Sequence, residues 1–400
     1  MLFLVHTTEI YVKQPKGFVK TDETGRKIVW KLKKSLYGLK QSGRNWNNLL
    51  HKCLINENFN QSFADPCVYT KFEGDSIIII LFWVDDVIIA ANNFDVLNTV
   101  KGNFHNMFKM KDMGILSWFL GIEFSFAHGN IIMNQNKYCL KILDRFNMNE
   151  CKPKSIPCDA SVNKTLNDES SELADPRLYR EIAGSLIYVM IGTRPDICYA
   201  VTKLSQHMSN PTKAHLGLAK HVLRYIKGTL DFCLKFSKSN DALELTGFCD
   251  SDWGNSDDRR SITGYCYKLN TNGPLISWKS QKQRIVALSS CEAEYVSLTS
   301  AVQEGNFLRQ LYADMNNCDK TTVILNVDNQ RDIALAKNPV YHQRSKHIDI
   351  RYHYIRLEVE NKHVELIYVP SEENVADIFT KPLTKKNLQK FCVIRGETLA

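Results

Sequence analysis

One fifteen-residue stretch limits what this chain can become: Ile77–Ala91, IIIILFWVDDVIIAA. Eight apolar residues lead up to Asp85-Asp86 and five follow. Runs of that length, rich in isoleucine and broken by two charges, read as two β-strands meeting at a carboxylate pair. A membrane helix is excluded, because a span needs roughly 18–20 uninterrupted apolar residues. Two anions between buried strands are costly unless cations meet them. A pair of divalent ions would do so, and such a pair serves phosphoryl transfer. An acidic hairpin tip is the plainer alternative and stays open, although Asn-Gly or Asp-Gly would make the better turn.

Composition narrows the field further. Four hundred residues with 44% apolar content suit two or three cored domains. A net charge of +8 permits a polyanionic partner without demanding one. Twelve cysteines without a CxxC pair argue against a zinc site and for free thiols in a reducing interior. MLFLV is too short for a signal-peptide core, so the expectation is an intracellular, unsecreted protein.

Along the chain, Lys27–Leu32 reads as a strand and Ser35–Leu50 as an amphipathic helix. Lys40, Gln41 and Arg44 sit there in a cationic neighbourhood, either a solvated face or a phosphate-facing groove. Residues 160–178 read as a polar linker. Arg180–Ala200 and Ala214–Tyr225 read as helices, the first broken at Thr193–Asp196. His207, His215 and His221 lack metal-ligand spacing and read as structural.

From Leu243 the pattern becomes strand (243–250), strand (263–269), strand (275–278), long helix (289–314), strand (322–328), helix (348–360), strand (364–369) and short helix (373–380). That order matches the ribonuclease H fold. Four acids stand where strand ends and helix starts converge: Asp250, Glu294, Asp328 and Asp377. Such a cluster repels itself unless divalent cations neutralise it, and magnesium suits an all-oxygen setting. Glu294 is preferred over Glu292 because it shares a face with Leu298 and Ala301, and Asp252 falls on the opposite pleat from Asp250. Lys279, Lys282, Arg284, Arg344 and Lys346, with Trp278, could line a groove for a nucleic-acid backbone or form solvated basic loops. The lysines from Lys381 onward read as an exposed basic tail.

SLYGLKQSGRNW (35–46) and FWVDDVIIA (82–90) resemble the reverse transcriptase of copia-type long-terminal-repeat retrotransposons. GFCDSDWGNSDDRRSITGYCYKL (247–269), SSCEAEYVSL (289–298), VDNQRDIALAKN (327–338) and RSKHIDIRYHYIRLEV (344–359) resemble the same elements' ribonuclease H. The resemblance covers nearly the whole chain. It implies an α+β architecture: 1–134, a palm fragment without fingers or the first catalytic acid; 135–242, thumb and helical connection; 243–383, a ribonuclease H domain with a five-stranded mixed sheet; 384–400, a basic tail.

The resemblance also implies roles. Asp85 and Asp86 would be polymerase metal ligands, and Asp250, Glu294, Asp328 and Asp377 the nuclease ligands. Each site would take two Mg2+ or Mn2+ ions. His347 would contact substrate or serve a purely structural role. The expected partners are RNA–DNA hybrid and template-primer, with no membrane. Self-association or association with other element-encoded proteins is a further expectation. So is location in cytoplasmic particles of the element and in the nucleus. The expected activity is hydrolysis of RNA in hybrids, with polymerisation lost for want of the third carboxylate. A non-catalytic nucleic-acid-binding relic and a complete reverse transcriptase with a misassigned start are the alternatives.

Overall fold

The computed structural model describes residues 9–36, 38–108, 110–167, 170–238, 243–254, 258–270, 273–337 and 346–394; in the last span the side chains of 346–350 and 392–394 lie outside the description. The chain divides into two compact units, 1–115 with 310–319, and 116–309 with 320–400.

The first unit is built on an antiparallel sheet in the order Asn60–Gln61, Val68–Glu73, Ser76–Trp83, Asp86–Ala91. The apolar run is therefore a hairpin, with Trp83 paired to Asp86 across a two-residue turn. Ile78, Ile80 and Phe82 alternate inward. They meet Trp46, Leu50 and Leu54 of the helix Ser42–Asn56 and Val100 and Phe104 of the helix Phe94–Met107. The first of these helices begins seven residues later than the spacing of leucines suggests. Gly38 takes a φ of +91°, and the Leu39 N–H bonds the Leu36 carbonyl and the Ser42 N–H the Leu39 carbonyl instead. The expected strand over 27–32 is reduced to Trp30–Lys31, paired with Tyr11–Val12.

In the second unit a four-stranded antiparallel sheet runs Leu234–Ser237, Asn130–Asn134, Ile122–Ala127, Trp118–Phe119. Beside it in sequence lie the helices Asn136–Arg145, Pro176–Gly192, Cys198–Ser205 and Lys213–Lys227. The break at Thr193–Asp196 is filled by a buried ion pair. Arg194 grips Asp196 through Nε (2.9 Å) and Nη2 (2.7 Å) and donates Nη1 to the Thr229 carbonyl (3.0 Å). His215 is structural: Nδ1 accepts from the Thr212 N–H, and Nε2 meets the Leu166 carbonyl at 2.6 Å. The supposed linker contains a short helix, Val162–Leu166, because Val162 and Leu166 bury themselves in the helical core.

The third sheet has the order Leu275–Lys282, Ile262–Leu269, Leu245–Asp252, Val323–Val327, Val364–Tyr368. The first three strands are antiparallel, and the last two run parallel to the third. This is the five-stranded mixed sheet that the element order implies. The long helix Ser290–Asn316, whose residues from 310 fall with the first unit, places Tyr295, Leu298 and Val302 on one sheet face with Tyr265 and Tyr267. The opposite face, through Ile262 and Cys266, meets Ile378 and Phe379 of the short helix Asp377–Thr380. Both faces are covered, so Ile262–Lys268 is buried throughout, polar Thr263 and Lys268 included. The tail is not wholly free: Lys385–Ile394 is helical, and Leu388 and Phe391 are buried in the core.

Gly264 makes this packing possible. A Cβ there would come within 2.6 Å of Thr380 Cγ2 and 2.8 Å of Phe379 Cβ. Gly264 also pairs directly with Asp250. Gly264→Ala is therefore expected to cost about 1–3 kcal/mol by overpacking and to push the Asp377 helix away from Asp250. Thermal denaturation of the variant checks this; an unchanged Tm would show that the helix does not depend on the close approach.

Candidate metal centre and nucleic-acid interface

The parallel register ends at Cys249 opposite Val327, so Asp250 and Asp328 are the next residues of adjacent strands and stand side by side. Glu294 comes from the second turn of the long helix. Ser289 caps that helix, its Oγ accepting from the Glu292 N–H at 3.2 Å. Glu292 Oε2 is occupied by the Leu288 N–H at 2.7 Å, which leaves Glu294 as the acid facing the strands. Asp250, Glu294 and Asp328 each offer one oxygen within 4.8 Å of the others. Asp377 joins at one side, on the helix that Asn374 fixes by donating Nδ2 to the Cys249 carbonyl (2.9 Å). Lys381 Nζ meets Asp377 Oδ1 at 2.8 Å, so this lysine belongs to the site and not to an exposed tail.

Burial and mutual repulsion act together here. Burial, then the neighbouring Asp377, pushes Asp250 up to about 7. Burial followed by the charges of Asp250 and Asp328 raises Glu294 well above the carboxylate range. Asp377 is also raised, chiefly by burial, with Lys381 opposing. Thr380 Oγ1 donates to Asp250 Oδ2 and fixes that carboxylate's orientation. Glu294 Oε2 is buried and has no hydrogen-bond partner. An orphaned carboxylate oxygen facing two further acids fits a hard divalent cation, since all its donors are oxygens.

Asp332 is a further acid that residue spacing did not single out. It is fully buried, accepts from Cys291 Sγ at 3.0 Å, and burial pushes it up to about 7. Its position four residues beyond Asp328, at the start of the helix Gln330–Lys337, was the available signal.

The other candidates are dispersed. Asp85 and Asp86 are exposed at the hairpin turn, where Trp46 Nε1 donates to the Val84 carbonyl at 2.8 Å. Among the described residues they join no group of three possible metal ligands. Lys40, Gln41 and Arg44 are exposed around the start of the helix Ser42–Asn56. Lys279 is exposed on its strand, Lys282 pairs with Asp258 at 2.9 Å, and Arg284 is exposed on the loop before the long helix. Trp278 offers less aromatic surface than expected, because it packs against the helical core and donates Nε1 to the Met190 carbonyl (3.0 Å). Arg344 and the side chains of Lys346 and His347 lie outside the described residues.

Residues 3–160 match the family of reverse transcriptases (RNA-dependent DNA polymerases). The chain is 36% identical over 392 residues to the retrovirus-related Pol polyprotein from transposon TNT 1-94 of Nicotiana tabacum, covering 95% of this chain and 29% of the relative. It thus spans under a third of that polyprotein's length. It is 33% identical to a putative transposon Ty5-1 protein of Saccharomyces cerevisiae, covering 74% of this chain and 95% of the relative. Among solved structures, the foamy viral protease-reverse transcriptase in complex with RNA/DNA hybrid matches with a TM-score of 0.50 at 13% identity, over 92% of this chain and 45% of that one.

The raised acids make stability depend on pH. Asp250 titrates near 3.8 when unfolded and at about 7 when folded, so the folded state holds its proton longer. Its contribution is intact below pH 4, falls as pH rises towards 7, and then levels off. Without divalent ions, Tm should drop across that window more in the native chain than in Asp250→Asn. Identical profiles by scanning calorimetry in chelator would contradict the buried-repulsion account.

Proposed function

Because the chain belongs to the copia-type family of retrotransposon Pol polyproteins, from which it carries reverse-transcriptase and ribonuclease H portions, we propose that it hydrolyses the RNA strand of RNA–DNA hybrids. The observation that carries this reading is the convergence of Asp250, Glu294 and Asp328 around a buried, unpartnered Glu294 oxygen. Asp250, Glu294, Asp328 and Asp377 would hold two divalent ions. When bound, these supply charge neutralisation at the scissile phosphate and a water acidic enough to lose its proton near neutral pH. The protein's own part is placement. The central strand fixes Asp250 and the end of its parallel neighbour fixes Asp328, the capped helix fixes Glu294, and Lys381 holds Asp377. Attack of water oxygen on phosphorus, with departure of the 3′ oxygen, leaves 5′-phosphate and 3′-hydroxyl ends. The exposed cations Lys279 and Arg284 supply backbone contacts to the hybrid.

Asp328→Asn is expected to lower hybrid cleavage about a hundredfold or more while leaving hybrid affinity within a few-fold. Gel assays of a labelled hybrid, with parallel anisotropy, separate the two effects. Cleavage at the native rate would remove Asp328 from the chemistry.

The first unit is proposed to bind template-primer through Lys40, Gln41 and Arg44, with Asp85 and Asp86 as two of the carboxylates a polymerase needs. With no third acid beside them among the described residues, this chain alone is expected to give no template-dependent primer extension. Extension by the purified chain with a primed RNA template and deoxynucleotides would overturn that expectation.

A further inference from the structure

Beside the acidic cluster the surface turns apolar in an unusual way. Trp253 lies three residues beyond Asp250 and is 52% exposed, yet its indole N–H is already used, donating to the Ala287 carbonyl at 3.1 Å. What it offers outward is therefore ring surface alone, and the bond holds the ring in place. The segment it grips is pinned at both ends. Gln283 Nε2 donates to the Ala293 carbonyl (2.9 Å), and the Leu288 N–H donates to Glu292 (2.7 Å). On this tethered segment Val286 is 48% and Leu288 84% exposed.

Isolated apolar residues on a surface are ordinary. Trp253 and the segment it bonds carry three of them next to a candidate catalytic centre, and together they make a surface that fits a partner. The charges around them select its chemistry. Arg259, Arg260 and Arg284 are exposed and Lys282 is half-buried; among the described acids near them, Asp258 takes Lys282 at 2.9 Å and Arg260 at 3.6 Å, Asp252 is half-buried, and Glu292 is occupied by the Leu288 N–H. Ring and aliphatic surface set among cations match a nucleic-acid strand, whose sugars and base edges are apolar and whose phosphates are anionic. They match neither an acidic peptide, which leaves the ring without a stacking plane, nor a lipid surface, which needs a broader apolar face.

We propose that Trp253, with Leu288, forms a fixed platform that seats the hybrid beside the scissile phosphate. This inference rests on the nuclease reading above. Three extended residues span about 10 Å, so the platform contacts nucleotides within a few positions of the cut. The pinning matters because a ring already held loses little freedom on binding. Trp253 and Leu288 are positioning residues. They act on where the duplex lies and not on the bond that breaks.

The test compares Trp253→Ala, Leu288→Ser and a control, Leu357→Ser, at a leucine 53% exposed on another helix. Kinetics with a fluorescent RNA–DNA hybrid give KM and kcat, and anisotropy in chelator gives affinity across salt concentrations. Trp253→Ala and Leu288→Ser are each expected to raise KM about five- to tenfold, with kcat within twofold and the slope of log affinity against log salt unchanged, because no phosphate contact is lost. Trp253→Phe, which keeps a ring, should recover part of the loss. Leu288 is so exposed that its replacement leaves folding intact, so that variant decides the matter if Trp253→Ala misfolds. KM within twofold of the native chain in both Trp253→Ala and Leu288→Ser overturns the platform while leaving the nuclease standing. A native chain that neither binds nor cuts the hybrid defeats the nuclease reading and the platform with it.

Discussion

Carboxylates that repel one another in a poorly solvated spot are the constraint on which the second unit depends. Asp250 and Asp328 are side by side because the parallel pairing of their strands stops one residue before each of them, and Glu294 is brought to them by the long helix that packs on their sheet face. No folding energy is gained by gathering them; burial makes their charged forms unfavourable. The surrounding structure therefore has to hold them by other means. It does so through the capped helix start, the Asn374 bridge to the central strand, the Gly264 contact and the Lys381–Asp377 pair. Sites organised at the expense of stability are where function is concentrated.

The Asp85-Asp86 turn shows the contrasting case. Two acids adjacent in sequence remain exposed at a tight hairpin, where burial adds no cost to their charge. The hairpin is secured by apolar packing of Ile78, Ile80 and Phe82 and by the Trp46 bond to Val84. Family membership gives this turn its meaning; its local geometry is that of an acidic tip. In the second unit local geometry and family membership point the same way, and that agreement gives the nuclease reading its weight.

Rigidity in the second unit is also local. The segments carrying Trp253 and Leu288 are tied by side-chain to main-chain bonds and by the buried Ala287, while Trp253, Val286 and Leu288 stay exposed. A segment held that way can present apolar surface to water without collapsing onto the core. This allows a rigid apolar surface to sit beside a highly polar centre.

Much of this could be read from residue order. The isoleucine-rich runs broken at Asp85-Asp86 marked two strands and the place where they meet, and acids at the ends of apolar runs marked Asp250 and Asp328. The order of elements from Leu243 placed a long helix over 289–314. These signals are local, arising from backbone period and capping chemistry. What only the tertiary structure decided involves groups distant in sequence. Asp332 is buried against Cys291, Trp278 is turned inward by Met190 while Trp253 stays outward, and the last helix is folded back through Leu388 and Phe391. Whether a side chain meets water or another side chain depends on which surface arrives opposite it, and no pattern within a single segment carries that information.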